Sequence, residues 1–462
     1  MIKKYKKKYK FVVFFISILF CSNDKPGLIS YEIIRGKISH QKHYPNSDIY
    51  EFHLSNGATV FFKKINSSSN EILFKSFSLG GKSILSKNEL VNAAIIPDLI
   101  NQSFYEKYNY LDINTELSNN LVHYTNYIDQ YYHGSVGHSS KENFKIFCEL
   151  LHLNWSKPIY DPDIFKKVIK KFENQIIDEK SNPYKQYEIL IDRVNFSNHH
   201  SKQSISTNSL YQLNLDDVLY TYRDLYSNPQ NFSFIFVGNI DVDEFKNHIS
   251  KYIGGLPVIS KQLAKINKGC YFFPFIPVNK SIEYELGDTT KHTITFYKGI
   301  DNKIDSYIDL DIAIKVFAKK MKNELGNDFN IEFGFNTIQP IKSYTTTYIS
   351  YYDNGSYDTK KMFNLIKRLK KDLKIKKELN QIINSEIEKR NDSVSNNRFW
   401  LEKINKYIIY NINFDKIIEE ENRLNKINSQ QIKKLIIKHF SKLRHSVVSL
   451  NKKDWSYFYD AN

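Results

Sequence analysis

Two groups of polar residues have types and spacings that could bind a metal or transfer a proton. Glu149 and His152 lie three positions apart in an apolar helical run, but no further ligand completes a metal set around them. His133 and His138 flank a glycine-rich turn. For these histidines we expect hydrogen-bonded or solvated side chains rather than metal ligands.

Familiar catalytic motifs are absent from the sequence. It contains no H-x-x-E-H or H-E-x-x-H, the patterns in which two histidines on one helix bind zinc beside a glutamate base. GGKS at 80–83 matches only the end of a phosphate-binding loop, since Ser76 stands where the first glycine is needed. The cysteines lie far apart without a C-x-x-C, which argues against a disulfide framework or a cysteine zinc site; they are Cys21, Cys148 and Cys270.

Length and composition indicate a globular protein with more than one domain. A chain of 462 residues is too long for one core, and 41% hydrophobic residues are ample for packed domains. The formal net charge is +16, but lysines occur throughout the chain beside many Asn, Ile, Tyr and Phe residues. We interpret this basic balance as a compositional bias. No zinc-finger, RRM or helix-turn-helix pattern is present, so we expect no nucleic-acid partner.

Residues 1–21 predict an export signal. Six lysines in MIKKYKKKYK precede the apolar run FVVFFISILF, which is too short for a membrane-spanning helix. The segment ILFC ending at Cys21 resembles the lipobox of bacterial lipoproteins, although Phe20 stands where a small residue is usual. We therefore predict an exported, membrane-anchored protein on the periplasmic side. Acylation of Cys21 and a short uncleaved anchor are the two alternatives for its attachment.

Periodic patterns indicate two α+β domains. IYEFHLSNGATVFFKK predicts two strands with a turn at Asn56-Gly57, and NFSFIFVGNI, HTITFYKG and YTTTYISYYDNG predict further strands. KENFKIFCELLHLNW, DIFKKVIKKFENQIIDE and DTKKMFNLIKRLKKDL have helical periodicity. We expect a lead-in linker over 22–47, then domains over 48–258 and 268–452. Each domain is expected to be an antiparallel sheet with helices packed on one face.

Taken in order, these segments resemble the insulinase/pitrilysin zinc metallopeptidases. The resemblance rests on HLSNGATVFFKK, the strand ending SLGGKS, NFSFIFVGNIDVDEF with the later YIGGLP, and HTITFYKG, and it extends over residues 49–450. AAIIPDLINQS is similar to the second, non-catalytic module of long two-module bacterial zinc proteases. The resemblance implies two tandem insulinase-like domains, and two such modules close around a peptide in complete enzymes.

The resemblance also implies that the zinc site is missing. In an active module the helix after the glycine pair carries H-x-x-E-H, and those places fall on Ala93, Ile96 and Pro97 here. None of these side chains can ligate zinc or move a proton. Pro97 would mark either a kink or a late helix start. We therefore expect no metal or cofactor in this chain, with zinc only in a partner module.

Other positions of the family pattern are altered or insufficient. A distal carboxylate could come from Glu173, Asp178 or Glu179, but one carboxylate cannot hold zinc alone. Many family members offer an Arg and, two turns on, a Tyr that hold the substrate carbonyl in the partner module. The matching positions here are Lys322 and Phe329, which lack the guanidinium fork and the hydroxyl donor. The alternative is that this stretch is simply a helix end at Gly326.

Three functions remain open from the sequence. The first is a non-catalytic subunit that completes the peptide chamber of an active insulinase-like metallopeptidase, with self-pairing into a homodimer as the competing assembly. The second is an exported lipoprotein that binds peptides or proteins on a former protease fold. The third is a metallopeptidase in its own right, with zinc ligands that the sequence patterns do not reveal.

Overall fold

The structure is a computed structural model of the chain. It describes residues 27–66, 70–103, 115, 117–119, 121–259, 263–264, 273–285, 290–301, 303–326, 329–337, 344–353, 355, 357–417 and 419–452. The export signal predicted over 1–21, including Cys21, and also Cys270, lie outside the described residues.

The first half is built on a mixed sheet, which we call sheet 1. Its seven strands follow the order β1-β2-β3-β7-β4-β6-β5, and all neighbours are antiparallel except the parallel pair β3 and β7. Gly57 has φ +86 in the turn between β2 and β3, as the predicted hairpin requires. The strands are β1 Ile38–Tyr44, β2 Ile49–Leu54, β3 Thr59–Lys64, β4 Glu71–Leu79, β5 His123–Ile128, β6 Tyr132–Ser140 and β7 Ser233–Gly238.

The second half is built on a five-stranded sheet, sheet 2, with the order β10-β11-β9-β12-β8. Its neighbours are antiparallel except β12 and β8, which are parallel. The strands are β8 Val278–Tyr284, β9 Thr290–Gly299, β10 Ile331–Thr337, β11 Tyr344–Asp353 and β12 His445–Lys452.

Helices fill the chain between the strands and pack on the sheets. Those of the first half are α1 Lys87–Asn101, α2 Phe144–Ser156, α3 Pro162–Ser181, α4 Pro183–Asn195, α5 Thr207–Tyr211, α6 Leu215–Tyr226 and α7 Val242–His248. Those of the second half are α8 Ile304–Leu325, α9 Thr359–Lys371, α10 Lys376–Ser393, α11 Asn397–Ile409, α12 Glu420–Asn425 and α13 Ser429–His439. None of the helices among the described residues is long and apolar enough to cross a membrane.

Each sheet has one face buried under the helices of its own half. Phe62, Phe74 and Phe236 on sheet 1 contact aromatic side chains of α2 and α7, and these residues are fully buried. On sheet 2, Ile294 and Ile349 pack against α8, α9 and α13 in a second core. Burial of apolar area on this scale is the main stabilising contribution to such domains.

The opposite face of each sheet is covered by a helix from the other half. Because side chains alternate along a strand, Phe61 and Ile235 point away from the first core. They form a separate cluster with Ile404 and Tyr407 of α11. Reciprocally, Tyr187 of α4 packs on Val448 of β12 and donates its hydroxyl to Thr293 of β9 at 2.7 Å. The two halves are therefore joined by two helices: α11 of the second half packs on sheet 1, and α4 of the first half packs on sheet 2.

The predicted α+β class with two tandem domains is confirmed, with three differences. Each sheet contains one parallel pair, and each carries a helix on its second face as well as its first. The expected lead-in linker over 22–47 contributes β1, which pairs with β2 at the edge of sheet 1. β1 was not predicted because five of its seven residues are exposed, so it lacks the apolar alternation of a half-buried strand.

Candidate functional site

The candidate site begins at the glycine turn between β4 and α1. Gly80 and Gly81 have φ values of +125 and +53, a conformation that favours glycine. A Cβ on Gly81 would lie 2.3 Å from the carbonyl oxygen of Asp129, so the turn packs directly on the β5–β6 hairpin. Ser86 then caps α1, and its capping box with Glu89 fixes the start of the helix at Lys87.

His133 holds this turn in place as a neutral histidine. Its Nδ1 accepts the Gly81 N–H at 3.3 Å, and its Nε2–H donates to the Leu225 carbonyl at 2.9 Å. Both ring nitrogens are therefore used in the core. Burial lowers the pKa of His133 to about 4, because the charged imidazolium would lose its hydration. Of the two expected states, His133 is hydrogen-bonded, and it joins the turn to α6. The glycine-rich turn expected between His133 and His138 is wrong, because both residues lie in β6.

The three positions that the family resemblance assigns to the zinc motif lie on α1, as expected from their numbering. Ala93 and Ile96 are 1% and 0% exposed and belong to the first core, whereas Pro97 is half-buried. Pro97 is inside a continuous helix that begins at Lys87, so the alternative of a late helix start is wrong. α1 packs against β5, α6 and α3, and Asn92 donates to Thr221 of α6 at 2.9 Å.

The candidate distal carboxylates on α3 have other roles. Glu173 pairs with Lys170 at 2.6 Å and accepts the hydroxyl of Tyr211. Asp178 and Glu179 are exposed on the same helix. Across the part of the chain that the structure describes, no three His, Cys, Asp or Glu side chains come together as a metal-binding group.

Glu149 and His152 are buried and serve the packing of α2. Glu149 accepts the Leu28 N–H at 2.6 Å and the Tyr252 hydroxyl at 3.0 Å. His152 donates its Nδ1–H to the Tyr252 carbonyl at 2.9 Å. Burial lowers the pKa of His152, so it is neutral there. These contacts fix the chain before β1 and the turn after α7 rather than a metal.

Lys322 and Phe329 lie on either side of the end of α8. Lys322 is exposed in the last turn, and its carbonyl accepts the N–H of Gly326, whose φ is +92. Phe329 is half-buried beside Tyr351 and Tyr357, with ring centroids 6.1 and 5.4 Å away. The local structure is thus the helix end that the sequence left as the alternative, and Phe329 contributes to the second core.

A cleft of about 930 Å³ opens between the α10–α11 connection and sheet 1, where β4 and β6 form most of its wall and His123 of β5 lies at its side. In the described residues β5 pairs only with β6, so it forms an edge of sheet 1 next to α1. The rings of His123 and His138 stack across these strands at 5.4 Å, and burial together with His138 lowers the pKa of His123. Charged residues of both halves line the cleft: Glu71, Lys75, Asp392, Arg398 and Glu402.

Sequence reasoning missed this cleft because its walls are more than 250 residues apart in the chain. The pattern HYTNYI in β5 has the Tyr and Thr content of a strand, which was the one available signal. Nothing local in that pattern distinguishes an edge strand from a central one. The position of Asp392 and Arg398 beside it depends on the exchange of α11 between the halves.

Comparisons with known proteins agree with this architecture. The family model described as the peptidase M16 inactive domain matches residues 212–385. A protein of Arabidopsis thaliana described as zinc protease PQQL-like is 21% identical over 244 residues, which are 52% of this chain and 23% of the relative. The chain thus spans a small part of that relative.

Solved structures share the fold at low identity. The periplasmic protease PqqL from Escherichia coli superposes with a TM-score of 0.80 at 14% identity, over 97% of this chain and 49% of that protein. Its first half alone gives a TM-score of 0.69 at 12% identity over 90% of this chain, so the better match lies outside that half. A peptidase M16 inactive domain from Pseudomonas fluorescens gives 0.73 at 15% identity, covering 88% of this chain and 98% of that domain.

Proposed function

Because the chain belongs to the insulinase/pitrilysin family, peptidase M16, we propose that this non-catalytic module pairs with a separate active module and completes its peptide chamber. The observation that carries the proposal is the composition of α1. At the positions where the family resemblance places the zinc motif of an active module, Ala93 and Ile96 are packed into the first core and Pro97 has no N–H donor. A module without its own zinc site acts on peptides only beside a module that has one.

The extent of the match supports a partner. The superposition covers 97% of this chain and 49% of PqqL, and in the proposal this chain supplies one module of a two-module chamber. In the proposal the facing module is another chain that carries H-x-x-E-H and zinc. A specific contact of this kind would bury more than about 1,000 Å². Pairing with a second copy of this chain is the competing assembly, and it would contain no zinc site.

The edge of sheet 1 supports a peptide as the bound substrate. β5 offers backbone N–H and C=O groups along an edge, and an extended peptide can add to such an edge as a further strand. Side chains of that peptide would enter the cleft, where Lys75 and Arg398 stand beside Glu71 and Glu402. This mixture of charges suits a polar peptide. It also supports the second candidate, a protein that binds peptides without any protease partner.

A zinc and peptidase assay tests the non-catalytic part of the proposal. The purified chain is expected to bind no stoichiometric zinc and to cleave no peptide from a mixed library, because α1 offers no ligand or base. Zinc is measured by elemental analysis of the protein, and cleavage with and without a chelator. Chelator-sensitive cleavage by this chain alone would refute the proposal and favour a metallopeptidase with unrecognised ligands.

We also propose export and membrane anchoring through the N-terminal segment. The lysine block and apolar run before Cys21 support it, and the related PqqL is described as periplasmic. The variant Cys21→Ala is expected to lose membrane attachment in cell fractionation if the cysteine is acylated. A variant that stays with the membrane would exclude acylation and favour an uncleaved anchor. Wild-type protein in the cytoplasm would contradict export itself.

A further inference from the structure

The positive charge of the chain is concentrated in two short segments. Residues 359–377 contain nine Lys or Arg residues and one carboxylate, and the first ten residues contain six lysines and no acid. Together they account for all but two units of the formal net charge of +16. Lysines occur throughout the chain, as noted above, but most of those outside these two segments are balanced by Asp and Glu.

Most basic residues of the segment 359–377 lie on α9, on its exposed side. The buried side of the helix, with Met362, Leu365, Ile366 and Leu369, packs into the second core and fixes its orientation. The opposite side is exposed and runs along a helix about 20 Å long. We call its residues the basic face: Lys360, Lys361, Lys367, Arg368 and Lys371.

Few acidic groups oppose the basic face. Arg368 pairs with Glu324 of α8 at 3.0 Å, Asp358 caps the helix by accepting the Lys361 N–H, and Asp372 follows its end. The equally lysine-rich helix α3 differs. There Lys166 pairs with Asp163 and Lys170 with Glu173, each within the helix, and a third lysine reaches Asp98 of α1. α9 therefore carries an excess of positive charge that α3 lacks.

An exposed apolar tip borders the basic face. Lys442 lies over the ring of Phe363 of α9, with its Nζ 4.5 Å from the ring centre, and the next residue, Leu443, is 77% exposed. The guanidinium of Arg444 lies 5.4 Å from the ring centre of Phe275, which is 67% exposed beside an exposed Ile276. We call Phe275, Ile276 and Leu443 the apolar tip. Exposed groups of this size next to basic residues need an explanation.

We propose that the basic face and the apolar tip dock on the surface of an anionic lipid bilayer. Lysine ammonium groups are attracted to the negative charges of lipid headgroups without needing a fixed binding geometry. The apolar side chains can insert between the headgroups at the membrane interface. One weak anchor rarely holds a protein on a membrane, whereas an anchor together with a basic patch does. The basic face would thus be the second contact of a chain whose N-terminal segment predicts the first. This inference goes beyond the pairing proposed above.

Vesicle binding by the full chain tests this proposal. Co-sedimentation is measured with phosphatidylcholine vesicles with and without phosphatidylglycerol. The test variant is K360Q/K361Q/K367Q/R368Q/K371Q, and the matched control removes five exposed lysines of α3 in K166Q/K167Q/K170Q/K171Q/K180Q. Each basic residue near an anionic surface contributes about fivefold to partition. We expect the α9 variant to bind anionic vesicles at least about 50-fold more weakly than wild type, and the α3 variant to bind within about threefold of it.

A second variant separates the apolar contact from the charges. Leu443→Ser is expected to weaken binding several-fold at both low and high salt, since apolar insertion is not screened, whereas the contribution of the basic face falls with salt. Equal binding of wild type and the folded α9 variant would overturn the proposal, because the N-terminal segment would then suffice. Equal losses in the α3 and α9 variants would also overturn it. A loss of duplex DNA binding by the α9 variant, with vesicle binding unchanged, would assign the face to nucleic acid instead.

Discussion

His133 shows how a residue type associated with catalysis can serve packing instead. It accepts a hydrogen bond from the glycine turn and donates one to α6, and its burial favours the neutral ring. The sequence left His133 either hydrogen-bonded or solvated and did not give its partners, since Gly81 and Leu225 are 52 and 92 residues away. Buried Ala93 and Ile96 were likewise placed on the helix by their spacing. Their lack of chemistry was implied by family resemblance rather than by any local pattern.

The buried state of His133 predicts an acid-sensitive contribution to stability. Its pKa is lowered from 6.5 to about 4 in the fold, so the contribution is complete above pH 6.5 and is lost as the pH falls toward 4. The loss is about 3 kcal/mol of unfolding free energy. In His133→Gln the amide can replace both hydrogen bonds but cannot titrate. In this variant, the difference in unfolding free energy between pH 7 and pH 4 should therefore be smaller than in wild type by about 3 kcal/mol.

Chemical denaturation at several pH values gives this measurement. Wild-type protein measured in the same buffers is the reference. His248 and His439 also have pKa values lowered to about 4 by burial, so part of the acid sensitivity should remain in His133→Gln. An unchanged pH dependence in His133→Gln would show that His133 is not held neutral by the fold.

Among the helices, α1 has a stabilising N-terminal cap but a helix-destabilising proline in its interior. The Ser86–Glu89 capping box fixes its beginning, while Pro97 at its eleventh position leaves the Ala93 carbonyl without its helical N–H donor.

The central strands, the hairpin at Asn56-Gly57 and the amphipathic helices could be predicted, because their apolar periodicity is local. β1 could not, because its residues are mostly polar, and neither could the parallel neighbours β3 and β7, which are 168 residues apart.

Replacing Pro97 should therefore stabilise the protein. Pro97→Ala restores the missing hydrogen-bond donor and a better helix former at a half-buried position, and we expect a gain of about 1 to 3 kcal/mol in unfolding free energy. Pro162→Ala is the matched control, since Pro162 occupies the first turn of α3, where proline is tolerated. That variant should change stability by less than about 0.5 kcal/mol. Thermal and denaturant unfolding measure both; a loss of stability in Pro97→Ala would show that the ring makes packing contacts worth more than the helix bond.

At the scale of the whole molecule, the exchange of α4 and α11 joins the two halves into one module. Each sheet is covered on both faces, and α11 also forms a wall of the cleft beside β5. The two-domain order could be predicted from the sequence, since each half repeats strands and helices. The exchange could not, because it depends on contacts such as Tyr187 with Val448, which are 261 residues apart. In the proposed function, the β5 edge and the cleft are the surfaces that bind the peptide.

The most direct test of the central claim is the native mass of the complex isolated from its source after mild cross-linking, with its subunits and zinc identified. If the chain pairs with an active module, we expect a heteromeric complex in which this chain of 54.6 kDa is bound to one chain that carries H-x-x-E-H, with one zinc per pair. A zinc-free monomer or homodimer, with no H-x-x-E-H protein retained, would contradict pairing with an active module.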